Sequence, residues 1–288
     1  MAKRRWGDRK DARWVRDVDP MHYFTPYLYP NRADNEAVVH EEIDLTNLNA
    51  FLEKKNEGLS EDKYTLMHAV AAALVRTITL RPKLNYFIQG RRMYERNDIS
   101  LGFVVKKQFA DTGKEALAFK KFGPETTIDS LHDDIIEEIH ACRSEKLDNS
   151  SQGLTFFSHF PRWLMRIAMA LLRLLDYYGK VPDVLVKADP DYATVFITNL
   201  GSIHLNANYH HLSNWGTCSI FLVIGEKHLG PVFKEDGSYE MHELMPLSVT
   251  LDERIADGYY YSKSIKILKH LLQNPELLNE EARKEVVL

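Results

Sequence analysis

The chain has 288 residues, of which 44% are hydrophobic and 27% are charged, and its formal net charge is −4. These values are ordinary for a soluble globular protein, and the net charge gives no reason to expect nucleic-acid binding. Two cysteines are too few for a disulfide framework or a cysteine zinc site. No signal-peptide pattern opens the sequence, so we expect a cytoplasmic protein.

The first 37 residues are predicted to form an N-terminal arm ahead of one domain over residues 38–288. Basic residues are concentrated at the start of this arm, where they are interleaved with Trp6 and Trp14. The favoured interpretation is a solvated arm that packs both tryptophans on the body of the protein. A weak contact with an anionic surface or a partner is the alternative.

Strands and helices follow in runs along the rest of the chain. A strong helix is predicted over 61–80, because apolar residues recur there at i, i+3, i+4 and i+7 and Ser60 can cap it. A hairpin is predicted to turn at Gly90-Arg91. Further helices are predicted over 47–58, 127–143 and 258–273. Alternating or buried-type apolar runs predict strands over 40–46, 98–106, 115–122, 190–202, 217–228 and 242–253.

The apolar segment 160–178 needs to be tested as a membrane span. Arg162, Arg166 and Arg173 recur there at helical spacing on one face, so the segment is predicted to be an amphipathic helix and not a span. Burial against the body or a neighbouring subunit is the favoured use of this helix. A membrane-surface helix is the alternative.

These runs predict an α/β fold, a two-layer sandwich in which helices cover one face of a mixed β-sheet of about five or six strands. The covering helices are those near 61–80, 127–143 and 258–273. Strands and helices do not alternate regularly, and no glycine-rich phosphate loop follows a strand. A Rossmann or P-loop fold is therefore excluded.

The stretch MPLSVTLDERIADG, followed by an amphipathic helix, resembles the end of the catalytic domain of dihydrolipoyl acyltransferases and of chloramphenicol acetyltransferase, which carry an HxxxDG signature there. The resemblance covers residues 38–275 in unbroken order. It implies the chloramphenicol acetyltransferase-like fold and a homotrimer in which the base of one subunit faces substrate-binding residues of the next. We find no counterpart of the lipoyl or small subunit-binding domains of complex-forming relatives. Three upstream segments carry the same resemblance: LMHAVAAALVRTITLRPKLNYFIQG, VFITNLGS and SIFLVIGEKHLGPVF.

Glu253 stands where this family has its catalytic histidine, whereas Asp257 and Gly258 match the signature. In the family the histidine is the general base that takes the proton of the acceptor. Proton transfer from a thiol of pKa about 8.5 to an imidazole of pKa about 6.5 is unfavourable by roughly 2.7 kcal/mol. Transfer from the same thiol to a glutamate of pKa about 4.3 is unfavourable by roughly 6 kcal/mol. Burial of Glu253 would raise its pKa and narrow this gap.

The resemblance also implies roles for the neighbouring residues. Thr198 stands where the family has a hydroxyl that hydrogen-bonds the tetrahedral oxyanion, although a β-branched residue is common in any strand. Asn199 is predicted to cap the turn before Gly201. Asp257 is predicted to be structural, with Arg254 or an arginine of the N-terminal segment as its partner, and Gly258 to permit a tight turn into the last helix.

His210 and His211 lie in a loop that departs from the family pattern. Adjacent residues of an extended chain point to opposite faces, so at most one imidazole is expected to enter the site, and a shared metal is disfavoured. One of the two could be a base paired with Glu253, or both could be structural. On the first interpretation, Glu253 lies within one side-chain length of His210 or His211.

Two functions of different classes follow. The first is an acyltransferase that moves an acyl group from a thioester, such as acyl-CoA or a lipoyl thioester, to a small thiol, hydroxyl or amine acceptor. The second is a catalytically inactive trimeric paralogue that acts as a structural or interaction module. We expect no covalently bound cofactor, no metal, no nucleic-acid partner and no membrane span. An imidazole within hydrogen-bond reach of Glu253 in a solvent channel favours the enzyme. A salt bridge from Glu253 to Arg254, or an occluded channel at Glu253, favours the module.

Overall fold

A computed structural model describes residues 5–106, 115–143 and 160–287 of the protein. The helices of these ranges are α1 (Pro20–Leu28), α2 (Thr46–Lys55), α3 (Leu66–Leu80), α4 (Ile128–Arg143), α5 (Arg162–Tyr177), α6 (Asp183–Ala188) and α7 (Gly258–Gln273). The strands are β1 (Ala12–Trp14), β2 (Glu36–Asp44), β3 (Tyr86–Gln89), β4 (Arg92–Arg96), β5 (Ile99–Lys106), β6 (Glu115–Phe122), β7 (Val195–Asn199), β8 (Ile220–Ile224), β9 (His228–Phe233) and β10 (Tyr239–Asp252).

The predicted mixed sheet is confirmed, but it has seven strands instead of five or six. The strand order is β2-β10-β8-β7-β5-β6, and β9 pairs with β10 outside this path. Strands β5, β7 and β8 are parallel, and the other pairs are antiparallel. β9 can join the sheet because β10 is 14 residues long and extends beyond its pairing with β2 and β8. Its first half pairs with β9, and its second half pairs with β2 and β8.

The core lies between one face of this sheet and helices α3, α4 and α7, as predicted. Alternate residues of a strand point to opposite faces, so Phe103, Ile197, Leu222 and Val249 enter the core together. The opposite face of β7 and β8 is left free of these helices. The loop over residues 205–213 packs on this face instead, where Thr250 of β10 donates to the carbonyl of His210.

Helix α3 begins at Leu66, five residues later than predicted. Thr65 occupies the N-cap position, and its backbone N–H donates to Nδ1 of His68 at 3.0 Å. The predicted cap at Ser60 is wrong, because the residues between Ser60 and Thr65 form bends that precede the helix. Thr65 and His68 thus form a capping box, in which two side chains satisfy free backbone N–H groups at the start of the helix.

The N-terminal segment contributes a strand to a second, three-stranded sheet of order β1-β4-β3. Its hairpin turns at Gly90 and Arg91, as predicted. Trp14 packs beside Phe87 and is covered by the guanidinium of Arg92. Trp6 is 82% exposed, so the prediction that both tryptophans pack on the body is wrong for Trp6.

Helix α5 forms where the arginine pattern predicts it, but its apolar face is not buried against the body. Among its residues only Asp176 is buried. Trp163, Ile167, Leu171 and Leu174 are each at least 55% exposed. No described helix is long and apolar enough to cross a membrane.

Candidate active site

Asp252 and the arginines around it form a buried ion cluster at the end of β10. Its carboxylate accepts from Arg254 Nε at 2.8 Å and Nη2 at 2.7 Å, and Arg32 Nε lies 3.6 Å from Oδ2. Arg254 also donates to the carbonyls of Tyr29 and Pro30. All three charged side chains are almost fully buried. The cluster therefore ties the N-terminal segment to the strand end that carries Glu253.

Arg32 extends this network to the histidine loop. Its guanidinium donates to the carbonyls of Ser213 at 2.5 Å and Gly216 at 3.2 Å. Burial lowers the pKa of Arg32, and the charge of Asp252 opposes this shift. The loop that follows His211 is thus held at a fixed position relative to the end of β10.

Asp257 has a different partner from the one predicted. Its Oδ1 accepts from the backbone N–H of Tyr260 at 2.7 Å, and it is the N-cap of α7. Arg32 and Arg254 both pair with Asp252, so the predicted arginine partner of Asp257 is wrong. A Cβ at Gly258 would meet no atom within 4 Å, so the predicted tight turn does not explain this glycine.

Glu253 lies next to this cluster but takes no part in it. Its backbone N–H donates to the carbonyl of Asn35 at 2.9 Å, and its side chain is exposed. Within the described ranges its carboxylate has no hydrogen bond to Arg254, His210 or His211. Among the described residues of one chain, Glu253 therefore has neither the imidazole contact that favours the enzyme nor the salt bridge to Arg254 that favours the module.

Thr198, His210 and His211 line one open cavity of about 290 Å³. The cavity lies on the sheet face opposite the covering helices, because Thr198 alternates with the core residue Ile197 along β7. Glu253 is not among the lining residues. The fold thus brings together three of the predicted site residues and leaves Glu253 outside the cavity of its own chain.

The two imidazoles are stacked on each other, and the ring of His210 packs on an aromatic side chain of β8. The ring of His210 lies parallel to Phe221, with 3.9 Å between centroids, and Phe221 stacks on Phe196. The ring of His211 lies 5.4 Å from that of His210 with an interplanar angle of 14°. The prediction that they point to opposite faces is wrong, because residues 205–213 do not form an extended strand.

The backbone of this loop is anchored to the sheet. Thr250 Oγ1 of β10 donates to the carbonyl of His210 at 2.7 Å. On the other side of the loop, Glu36 accepts from the backbone N–H of Leu212 at 2.5 Å. These two contacts hold the imidazoles over the sheet face without using their ring nitrogens.

Asp191 is a cavity residue that sequence reasoning missed. Burial raises its pKa to about 6; Asp189 acts in the same direction, and the charges of Arg32 and His211 oppose it. Its backbone carbonyl accepts from Thr217 and Cys218, which fixes the turn before β7. The only signal in the sequence is the acidic turn around Pro190, which is also typical of an ordinary loop.

Thr198 and Asn199 end strand β7 with different surroundings. The half-buried side chain of Thr198 lines the cavity. Oδ1 of Asn199 accepts from the N–H of Ser202 at 3.2 Å, so this side chain caps the turn that follows. Within the described ranges no group of three His, Cys, Asp or Glu side chains could hold a metal ion.

This arrangement contains the elements that acyl transfer requires. An imidazole can take a proton from an attacking group, and a nearby carboxylate can stabilise the protonated ring. A hydroxyl at the strand end can donate to a developing oxyanion. His211, Asp191 and Thr198 are of these three chemical types and share one cavity.

Comparison with known proteins confirms the resemblance found in the sequence. The family model for the 2-oxoacid dehydrogenases acyltransferase catalytic domain matches residues 184–279. The matched region includes β7, β8, β10 and the signature residues. None of the curated proteins matches the sequence.

Three solved structures illustrate the shared fold. The dihydrolipoamide acetyltransferase of Azotobacter vinelandii, in which a serine, a histidine and an asparagine were investigated for their role in catalysis, is 16% identical, with a TM-score of 0.60 over 92% of this chain and 93% of that chain. The catalytic core of the 2-oxoacid dehydrogenase multienzyme complex of Thermoplasma acidophilum is 16% identical, with a TM-score of 0.56 over 91% and 99%. A chloramphenicol acetyltransferase is 12% identical, with a TM-score of 0.53 over 91% and 99%. The chain therefore has the fold of these acetyltransferases.

Proposed function

We propose that the protein transfers an acyl group from a thioester, such as acyl-CoA, to a small acceptor that carries a thiol, hydroxyl or amine. The observation that carries this proposal is the shared cavity of His211, Asp191 and Thr198. The acetyltransferase fold supports acyl transfer in general. The cavity of about 290 Å³ is at the lower end of small-molecule sites, which favours a short acyl group.

In the proposed reaction His211 acts as the general base. It takes the proton of the acceptor while the acceptor atom attacks the thioester carbonyl. The oxyanion of the tetrahedral intermediate accepts a hydrogen bond from the hydroxyl of Thr198. When the intermediate collapses, the C–S bond breaks, and the departing thiolate takes the proton back from the imidazolium. No redox step and no metal is needed for this balance.

Asp191 supports the base in this scheme. With a pKa of about 6, its carboxyl group is largely ionised at neutral pH. A negative charge beside His211 stabilises the protonated ring that forms during the attack. Asp191 is a positioning residue, because it acts through the imidazole and not on the substrate.

Glu253 is proposed to act at the boundary between two subunits. We infer a homotrimer with the site at subunit boundaries, in which Glu253 of one subunit faces the cavity of the next and orients His210 or His211. The Glu253 carboxylate is exposed at the end of β10 and has no hydrogen bond among the described residues, which supports this arrangement. The histidine and asparagine investigated in the Azotobacter protein are four positions apart, as are Glu253 and Asp257. The Thermoplasma protein is the core of a multienzyme complex, which supports an oligomer.

The catalytically inactive trimeric module is a second candidate, and one observation favours it. The signature position holds a carboxylate, and that carboxylate lies outside the cavity of its own chain. If the histidines are structural, the fold remains as an assembly unit without turnover. Light scattering would find a trimer for both candidates, so activity has to separate them.

The test is acyl transfer by the purified protein. We expect free CoA and acylated dihydrolipoamide, separated by chromatography, from a panel of acyl-CoA thioesters in the presence of dihydrolipoamide, a small dithiol acceptor. His211→Ala should abolish this activity, and His228→Ala, which changes an exposed histidine of β9, should leave it intact. If neither product forms with any thioester and the protein is trimeric by light scattering, the module is favoured instead.

A further inference from the structure

Helix α5 has two chemically distinct exposed faces. Arg162, Arg166 and Arg173 lie within a 40° arc of a helical wheel and are exposed. Trp163, Ile167, Leu171 and Leu174 occupy a broad arc beside them and are also exposed. In a helix that packs its apolar face against its own domain, these four apolar side chains would be buried and only the arginines would be exposed.

Hydrogen bonds join the C-terminal end of α5 to the rest of the domain. Gln89 Nε2 donates to Asp176 Oδ2 at 2.7 Å, and Arg9 donates to the carbonyl of Asp176. Burial raises the pKa of Asp176 to about 6. Asp176 is the only acidic residue of α5, and it is buried, so the exposed surface of the helix carries arginine charge alone.

Helix α1 continues the exposed apolar surface near the same hairpin turn. The backbone of Tyr177, at the end of α5, lies against Gly90, and the guanidinium of the next residue, Arg91, lies 5.4 Å from the ring of Tyr27 in α1. Three further side chains of α1 are at least 59% exposed: Met21, Phe24 and Leu28. Two exposed apolar helices thus meet at one basic hairpin.

We propose that this surface, made of α5, α1 and the β3–β4 turn, binds a membrane that contains anionic phospholipids. A helix with a strongly apolar face, an arginine-bearing polar face and low overall hydrophobicity lies in the plane of the headgroups. Trp163 and the tyrosines at the helix end are side chains that favour this interfacial region. The arginines can pair with lipid phosphates while the apolar stripe enters the acyl boundary.

The charge of the helix favours lipid over a second copy of the chain. Arg162, Arg166 and Arg173 flank the apolar stripe, and α5 has no exposed acidic residue with which a second copy could pair them. Anionic headgroups supply the missing negative charge. The proposal is independent of acyl transfer, since no residue of this surface lines the cavity of His211.

The test is co-sedimentation of the full chain with lipid vesicles. We expect binding to vesicles of equal parts phosphatidylcholine and phosphatidylglycerol, and little binding to phosphatidylcholine alone. Binding should weaken at about 1 M salt, where screening shortens electrostatic interactions to about 3 Å. Arg166→Glu together with Arg173→Glu should reduce the partition coefficient by more than about fivefold per residue, because each change also adds a negative charge.

Two further variants separate the apolar contribution from general surface effects. Ile167→Glu together with Leu174→Glu changes exposed side chains of the apolar stripe and should abolish vesicle binding, whereas Leu229→Glu, at an exposed residue of β9, should not. Light scattering is measured on the same proteins. If the wild type does not bind anionic vesicles, or if Ile167→Glu with Leu174→Glu dissociates the oligomer, the face is not a lipid site and the proposal is overturned.

Discussion

Arg32 and Asp252 meet in a fully buried ion pair, with 3.6 Å between Nε and Oδ2, although 220 positions separate them in the sequence. This contact joins the N-terminal segment to the end of β10. Arg32 also holds the loop after His211 through the carbonyls of Ser213 and Gly216. The position of the histidine loop therefore depends on a charge cluster that does no chemistry itself.

The first prediction concerns the stability of that cluster. Asp252→Asn leaves Arg32 and Arg254 buried without a counter-charge, so we expect the free energy of unfolding to fall by about 3–5 kcal/mol. Asp257→Ala removes only a helix N-cap at an exposed residue and should lower it by about 1 kcal/mol. Urea unfolding of both variants measures the difference. Equal losses would contradict the assignment of the buried partner.

The second prediction concerns Thr198. Thr198→Val keeps the shape of the side chain but removes the hydroxyl, and loss of one oxyanion donor lowers kcat by about 100-fold or more. Thr198→Ser keeps a hydroxyl and should retain most of the activity. The thermal midpoint should change little in both variants, since this hydroxyl has no hydrogen bond among the described residues. A Thr198→Val protein as active as Thr198→Ser would remove Thr198 from the mechanism.

The third prediction concerns the pH dependence of stability at Asp191. Burial raises its pKa to about 6 from an ordinary value of 3.8, so the folded chain binds this proton more tightly than the unfolded chain. The resulting stabilisation is fully present below pH 3.8 and is lost as the pH rises through 6. Asp191→Asn should therefore raise the free energy of unfolding at neutral pH by on the order of 1–2 kcal/mol, after allowance for partial exposure of the group.

Urea unfolding over a series of pH values tests this sign. The variant and the wild type should converge below about pH 4, where both side chains are neutral. Asp17→Asn, at an exposed carboxylate of the N-terminal segment, controls for the loss of one negative charge at the surface. The same Asp191→Asn protein should lose acyl transfer more than tenfold, which a residue of purely structural use would not show.

The fourth prediction concerns Glu253. Glu253→Gln should lower acyl transfer by more than tenfold and leave the thermal midpoint nearly unchanged, because the carboxylate is exposed and forms no hydrogen bond among the residues that the structure describes. If the site is shared between subunits, a reassembled mixture of Glu253→Gln and His211→Ala proteins contains some intact sites. That mixture should regain part of the activity that each variant lacks alone. Hybrids that form but stay inactive would place both residues in the same subunit's site or in none.

Local patterns in the sequence determined much of the architecture. Alternation along 98–106 predicts β5, because the side-chain period of a strand is two. The segment 115–122 is predicted as its partner strand β6, and the buried-type apolar run 217–228 predicts β8. The periodicity of 127–143 and 258–273 predicts α4 and α7 for the same reason with a period near 3.6. The signature stretch also predicts Glu253 at a strand end and Gly258 at the start of the last helix, where the structure has the end of β10 and the start of α7.

Only the tertiary structure decided how charges pair and which side chains share the cavity. Asp252 and Asp257 are both acidic and both lie near Arg254 in sequence, yet only the fold buries Asp252 between two arginines and leaves Asp257 as a helix cap. No pattern in the neighbouring sequence marks Asp191 as a cavity residue, because its pKa is raised by burial, which depends on the fold. Periodicity is a property of neighbours along the chain, whereas ion pairing and desolvation depend on three-dimensional distance.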